Sequence, residues 1–166
     1  MTPNPAATPR YAGFGRRFAA FLLDALFLTF VTGVYALLVS GGTLAAVLGI
    51  ALVLGGLPQD ISGVVVAVVA VTVVTVVVGA VLIYGLYWVL MTGLAGATLG
   101  KLALGLRVVD ETGGRPGLAR AFMREVPGKF LSKSGLYLGF FWVLKDGRKQ
   151  AWHDKIAGTY VLLIRP

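Results

Sequence analysis

The chain has 166 residues, 57% of them hydrophobic and 13% charged, with a formal net charge of +8. Soluble domains carry about 25% charged residues, so this composition argues against a water-soluble enzyme or binding module. There is no cysteine and His153 is the single histidine, which excludes disulfide frameworks, thiol nucleophiles and paired-histidine metal motifs; no cofactor is expected.

In chain order, Met1 to Tyr11 is rich in Pro, Thr and Ala and reads as a disordered tail. Asp24 and Asp60 are the only charges from Phe18 to Gly100. Apolar runs above about 18 residues are transmembrane candidates. The first covers Phe18 to Val39, and its length, its Asp24 and the lack of a convincing cleavage site argue for a retained helix rather than a signal peptide. Ser40-Gly41-Gly42 is expected to break it. Thr43 to Leu57 would reach only about 22 Å as a helix, so it is expected to be re-entrant or interfacial. Ile61 to Met91 is the second crossing. Its Val-rich centre would suggest a strand in water, but a lone strand leaves backbone groups unpaired in lipid, so a helix is expected. Tyr84, Tyr87 and Trp88 sit at its end like an interfacial aromatic belt.

From Lys101 onward there are twelve basic and five acidic residues. The basic N-terminus and this basic segment place both in the cytoplasm by the positive-inside rule, with an even number of crossings between. Anionic headgroups account for the basic charge, and nucleic acid is not expected as a partner. Leu118 to Phe130 sets Arg120, Arg124 and Lys129 opposite Phe122, Met123 and Val126, the pattern of an amphipathic surface helix. Ser134 to Leu144 is too short to span unless its helix starts earlier, and Tyr160 to Ile164 is expected to dock.

Asp24 is the most informative residue. A charge this deep costs about 2.5–3.5 kcal/mol on insertion scales. Arg17 lies about 10.5 Å up the same helix and is expected to snorkel towards headgroups. Asp24 then needs a cation from elsewhere, or must be carried as the neutral acid. It is either a buried assembly contact or a cation or proton site. Gly100-Lys101 lacks the first glycine and the Ser/Thr of a phosphate-binding loop. His153-Asp154 has no Ser or Cys partner for catalysis, so a capping or interfacial role for Asp154 is favoured. Nearby Lys145, Arg148, Lys149 and Lys155 should keep Asp154 ionised.

Four blocks in order carry a family resemblance. Ala12 to Asp24 (AGFGRRFAAFLLD), Gly96 to Asp110 (GATLGKLALGLRVVD), Ala121 to Glu125 (AFMRE) and Gln150 to Thr159 (QAWHDKIAGT) together resemble the RDD family, named for an arginine and two aspartates. The resemblance implies that Arg17 is the arginine, Asp24 the first aspartate and Asp154 the second, and that transport, with cations among the candidates, is the activity to test. The long Thr43–Leu57 insertion and the short final apolar run depart from the pattern.

The sequence therefore predicts an all-α, single RDD-like transmembrane domain over 12–166, a small multi-pass bundle in the plasma membrane with its N-terminus cytoplasmic. It is expected to have two crossings plus a third, partial or full, near the C-terminus. Arg17, Asp24, Lys101, Arg124 and Asp154 are the candidate functional residues, and no enzymatic role is expected. Two functions stand: a transporter or transport subunit for a monovalent cation or proton, aided by homo-oligomerisation, or a non-transporting scaffold in which these charges fix helix packing.

Overall fold

The computed structural model describes residues 9–56 and 60–164. Helix α1 runs Phe14–Val53 and α2 runs Ser62–Leu90, continuing through a π-helical turn at Met91–Ala95. Both are long and apolar enough to cross a membrane. The expected break at Ser40-Gly41-Gly42 does not occur, and Thr43 begins no separate re-entrant piece. Glycine costs a helix about 1 kcal/mol in water, but an interruption in an apolar surrounding would strand backbone polar groups. Thr43 instead donates its hydroxyl to the Val39 carbonyl at 2.7 Å, one turn back on the unbroken helix. At 1.5 Å per residue α1 is about 60 Å long, twice the hydrocarbon thickness. Leu57, at the end of the expected insertion, lies outside the described residues.

The rest of the chain is built from short elements. These are α3 (Leu99–Ala103), strand β1 (Leu106–Asp110), α4 (Gly117–Met123), a π turn (Arg124–Gly128), α5 (Lys129–Ser134), α6 (Leu138–Phe141), a 3-10 turn (Trp142–Leu144), α7 (Trp152–Ile156) and strand β2 (Thr159–Leu163). The described residues are mostly helical as expected, but the all-α expectation is corrected by one pair of strands. β1 pairs antiparallel with β2 from Leu106–Leu163 to Asp110–Thr159. An isolated ribbon is marginal in water, so this one depends on its cover. Leu106, Val108 and Val161 are fully buried with Ala12 and Ala20 of the N-terminal segment. Tyr11 bridges to Leu162, and the Leu163 amide donates to the Arg10 carbonyl at 2.8 Å. Arg10 and Tyr11 are thus paired rather than disordered; residues 1–8 lie outside the described residues.

The chain divides into two compact units, one of the described residues up to Leu26 with those from Gly85 onward, the other Phe27–Tyr84. In the second, the Tyr35 hydroxyl donates to the Thr75 carbonyl at 2.9 Å and lies over Gly79, where a Cβ would sit 2.1 Å from it. The first holds every candidate residue.

No third helix long enough to cross a membrane fully follows near the C-terminus among the described residues. After Ser134 the chain turns through Leu136 and Tyr137 at φ 51° and 62°, leaving only the four residues of α6 before the next turn.

Candidate functional site

Asp24 is fully buried, as are Ala20 before it and, but for 1%, Leu28 after it. This i, i+4 stripe excludes Phe21, which is half exposed. The Asp24 carboxylate accepts three hydrogen bonds: from the Tyr87 hydroxyl at 2.6 Å, the Thr98 hydroxyl at 2.5 Å and the Gly100 amide at 2.7 Å. Thr98 and Gly100 stand at the start of α3, where backbone N–H groups lack intrahelical partners. Asp24 therefore caps α3 from another helix. The close approach requires glycine at 100, because a Cβ there would lie 2.2 Å from the Ala20 carbonyl oxygen. No Lys or Arg forms an ion pair with Asp24 among the described residues. Hydroxyl and amide donors do what a cation was expected to do.

Arg17 does not snorkel. It forms an ion pair with Asp154 and donates to the carbonyls of Ala12 at 3.0 Å and Lys149 at 2.6 Å. The other Asp154 oxygen takes Arg124, Nη2 at 2.8 Å and Nε at 3.1 Å. The Ala151 amide donates to Asp154 at 3.0 Å, an N-terminal cap on α7 that matches the capping role read from the sequence. Burial alone would raise the Asp154 carboxyl, yet Arg124 and Arg17 hold it far below the usual carboxylate range. Two of the four neighbouring cations expected to do this are engaged elsewhere, Lys155 with Asp146 at 2.5 Å and Arg148 with the Tyr160 hydroxyl at 3.2 Å.

A second layer extends this brace. Glu125 is held by Lys129 at 2.5 Å, by Arg124 at 3.5 Å and by the Thr92 hydroxyl at 3.2 Å. Burial opposes its ionisation, but Lys129 and Arg124 outweigh that and bring its pKa down to about 2. Burial pushes His153 down to about 3, so it is neutral at pH 7 and lies 3.3 Å from the Ser132 hydroxyl.

Lys101 differs from these. It is 7% exposed, and its ammonium has no hydrogen bond or ion pair among the described residues; the Trp88 ring centroid is 5.5 Å away. Lys129 sits 3.7 Å from the same centroid. Burial first, then the charge of Arg124, bring Lys101 down to about 7, against the pull of Glu125 and Asp24. With a folded pKa below the unfolded one, Lys101 opposes folding most below pH 7, and its penalty fades as pH rises from about 7 towards 10.5.

The structure thus joins Arg17, Arg124 and Asp154, leaves Asp24 in its own cage, and sets Lys101 within the field of both. Tyr87, Thr98, Trp88 and Glu125 were not singled out in the sequence as site residues. Thr98 and Glu125 stand inside the quoted blocks, which was the available signal. Tyr87 and Trp88 were hidden by their aromatic-belt reading. Among the described residues no group of three or more His, Asp or Glu side chains could hold a metal.

Two apolar helices long enough to cross a membrane and a buried set of paired charges are the marks of a small membrane protein. Residues 11–158 match the RDD family, and the chain belongs to that family. It is 34% identical over 156 residues to the uncharacterized membrane protein YteJ of Bacillus subtilis (strain 168), covering 93% of this chain and 82% of that one. It is also 33% identical over 76 residues to the uncharacterized protein RP437 of Rickettsia prowazekii (strain Madrid E), covering 46% of this chain and 42% of that protein's length. No solved structure matches.

Proposed function

We propose that this protein is a transporter or transport subunit for a proton or monovalent cation, with Asp24 as the ion-binding carboxylate and Lys101 as its electrostatic partner. The observation that carries this reading is the buried Lys101 ammonium, which has only the Trp88 ring near it and no hydrogen bond or ion pair among the described residues, in the field of a carboxylate that forms no ion pair. Ionisable groups tuned towards neutrality by burial cluster at functional sites, and a purely structural buried lysine would be expected to form an ion pair. Arg17, Asp154 and Arg124 form a separate ionic brace. Two long helices enclose little volume, so a second copy would help complete a path.

A scaffold reading is favoured by one observation, the full satisfaction of Asp24 by three donors. Ion flux through the purified full chain in liposomes separates the two. Asp24→Asn keeps a carbonyl for the Gly100 amide and an NH2 group for a hydroxyl oxygen, yet loses the charge. The transport reading expects flux in the wild type, its loss in Asp24→Asn and Lys101→Met, and little change in melting temperature for Asp24→Asn. Absence of wild-type flux, or flux unchanged in both variants, sinks it. A lowered melting temperature in Asp24→Asn without wild-type flux favours the scaffold.

The orientation proposed is that Arg10–Arg17 and the basic segment from Lys101 face the cytoplasm of the plasma membrane, with Asp60 outside. A membrane-impermeant thiol reagent on intact cells should label Asp60→Cys and leave Gly114→Cys unlabelled. The reverse pattern would overturn this topology.

A further inference from the structure

The helical run from α4 through the π turn to α5 is inverted relative to a helix on a water-soluble protein. Its buried stripe is Ala121, Arg124, Glu125, Gly128 and Ser132, recurring at three- and four-residue intervals. The outward positions carry large apolar side chains: Phe122 is 51% exposed, Val126 44% and Phe130 73%. Arg124 and Glu125 lie inside and hydrocarbon outside, while the exposed Arg120 is paired with Asp110. The turn that follows has the same character. Surface turns are normally polar, yet Leu136 at its tip is 86% exposed and Tyr137 57%, both in the left-handed backbone region that apolar side chains rarely adopt. An exposed apolar surface of this kind marks a contact with something apolar.

Its location indicates what that is. Leu118, at the start of α4, packs on Gly93 in the turn that ends spanning helix α2; a Cβ on Gly93 would lie 2.9 Å from the Leu118 side chain. The run therefore leaves directly from the foot of a spanning helix, and the exposed Lys133 and Lys145 have side chains long enough to snorkel to anionic headgroups. We propose that residues 118–144 form a half-inserted helical hairpin whose outer face is covered by the acyl chains of one bilayer leaflet. Its inner face carries Arg124 and Glu125 to the Asp154 brace. The helix read from the sequence as lying on headgroups through its basic face instead turns Arg124 into the protein and Lys129 towards Glu125 and Trp88.

The cysteine-free chain gives a clean background for the test. Single cysteines at Phe122, Phe130 and Leu136, with Gly113 as a water-exposed reference, are nitroxide-labelled in the full chain. The protein is reconstituted into phosphatidylcholine–phosphatidylglycerol vesicles, and collisions with oxygen and with a neutral nickel chelate are compared by paramagnetic resonance. The oxygen-to-nickel ratio at all three sites should exceed that at Gly113 by at least about tenfold, because a polar chelate loses its water hydrogen bonds in hydrocarbon. A ratio like that at Gly113 places the face in water. Exclusion of both reagents places it against protein, such as a second copy. Either result overturns the proposal. All three residues are exposed, so labelling removes no buried contact, and the outcome is independent of whether Asp24 carries an ion.

Discussion

Asp154→Asn is expected to lower stability by about 3–5 kcal/mol, since it leaves the half-buried Arg17 and the buried Arg124 guanidiniums facing a neutral group. Arg124 is 3% exposed and Asp154 not at all, so water cannot readily replace the lost charge. The same substitution sets an amide where the Ala151 amide and two arginines all donate; at most the Asn carbonyl can accept. The pH dependence has a definite sign. Both Asp154 and Glu125 have folded pKa values below their unfolded ones. Their contribution is present above the unfolded carboxylate pKa of about 4 and is lost as pH falls through the folded values. Wild-type melting temperature in detergent should therefore fall progressively below about pH 4.5. Asp154→Asn should start lower at pH 7 and show a shallower acid limb. A variant within about 1 kcal/mol of wild type at pH 7 would show that the brace contributes no more than an ordinary surface pair.

The sequence was most informative where one physical constraint dominates. The apolar length of α1 and α2 and the enclosure of Asp24 follow from the cost of exposing polar groups to hydrocarbon, and that cost is local. It was misleading where two weak local signals oppose a nonlocal gain. Ser40-Gly41-Gly42 looks like a helix stop only if water is there to take up the freed backbone groups. The β1–β2 ribbon joins segments 49 residues apart at their nearest pair, Asp110 and Thr159, and each strand has five residues, too few for alternation to stand out.

The charged residues make the same point. Arg17 and Asp154 are separated by 137 residues, and no spacing rule links them; the family resemblance marked both without saying that they touch. Seen alone, Arg17 had headgroups as its nearest visible partner. What the chain does instead is bring Asp154 at the start of α7 to Arg17 of α1, so that one carboxylate caps α7 and pairs with both Arg17 and Arg124. Asp24 likewise found donors that are uncharged and individually unremarkable in sequence, among them a backbone amide that has no side-chain signature.

Gly100→Ala should be the more damaging of two glycine substitutions that look alike on paper. At Gly79 a Cβ would meet the Tyr35 hydroxyl at 2.1 Å, the far end of a side chain that can swing aside at the loss of one hydrogen bond. At Gly100 the obstacle is the Ala20 carbonyl oxygen at 2.2 Å, with the Asp24 carboxyl carbon at 3.0 Å behind it. A backbone carbonyl inside α1 cannot move without breaking helix hydrogen bonds, so α1 and α3 must separate. Separation stretches the Gly100 amide bond to Asp24, now 2.7 Å, and leaves a buried carboxylate short of a donor. Overpacking costs about 1–3 kcal/mol and an unsatisfied buried charge a further 1–3 kcal/mol or more, so a total of roughly 3 kcal/mol or more is expected, against about 1 kcal/mol for Gly79→Ala. Thermal melting of both variants tests the order. A double-mutant cycle tests the cause: if the damage runs through the Asp24 cage, Gly100→Ala combined with Asp24→Asn should cost clearly less than the sum of the two. Additive costs would mean that Gly100 matters for α1–α3 packing alone, and that the donors around Asp24 survive its displacement.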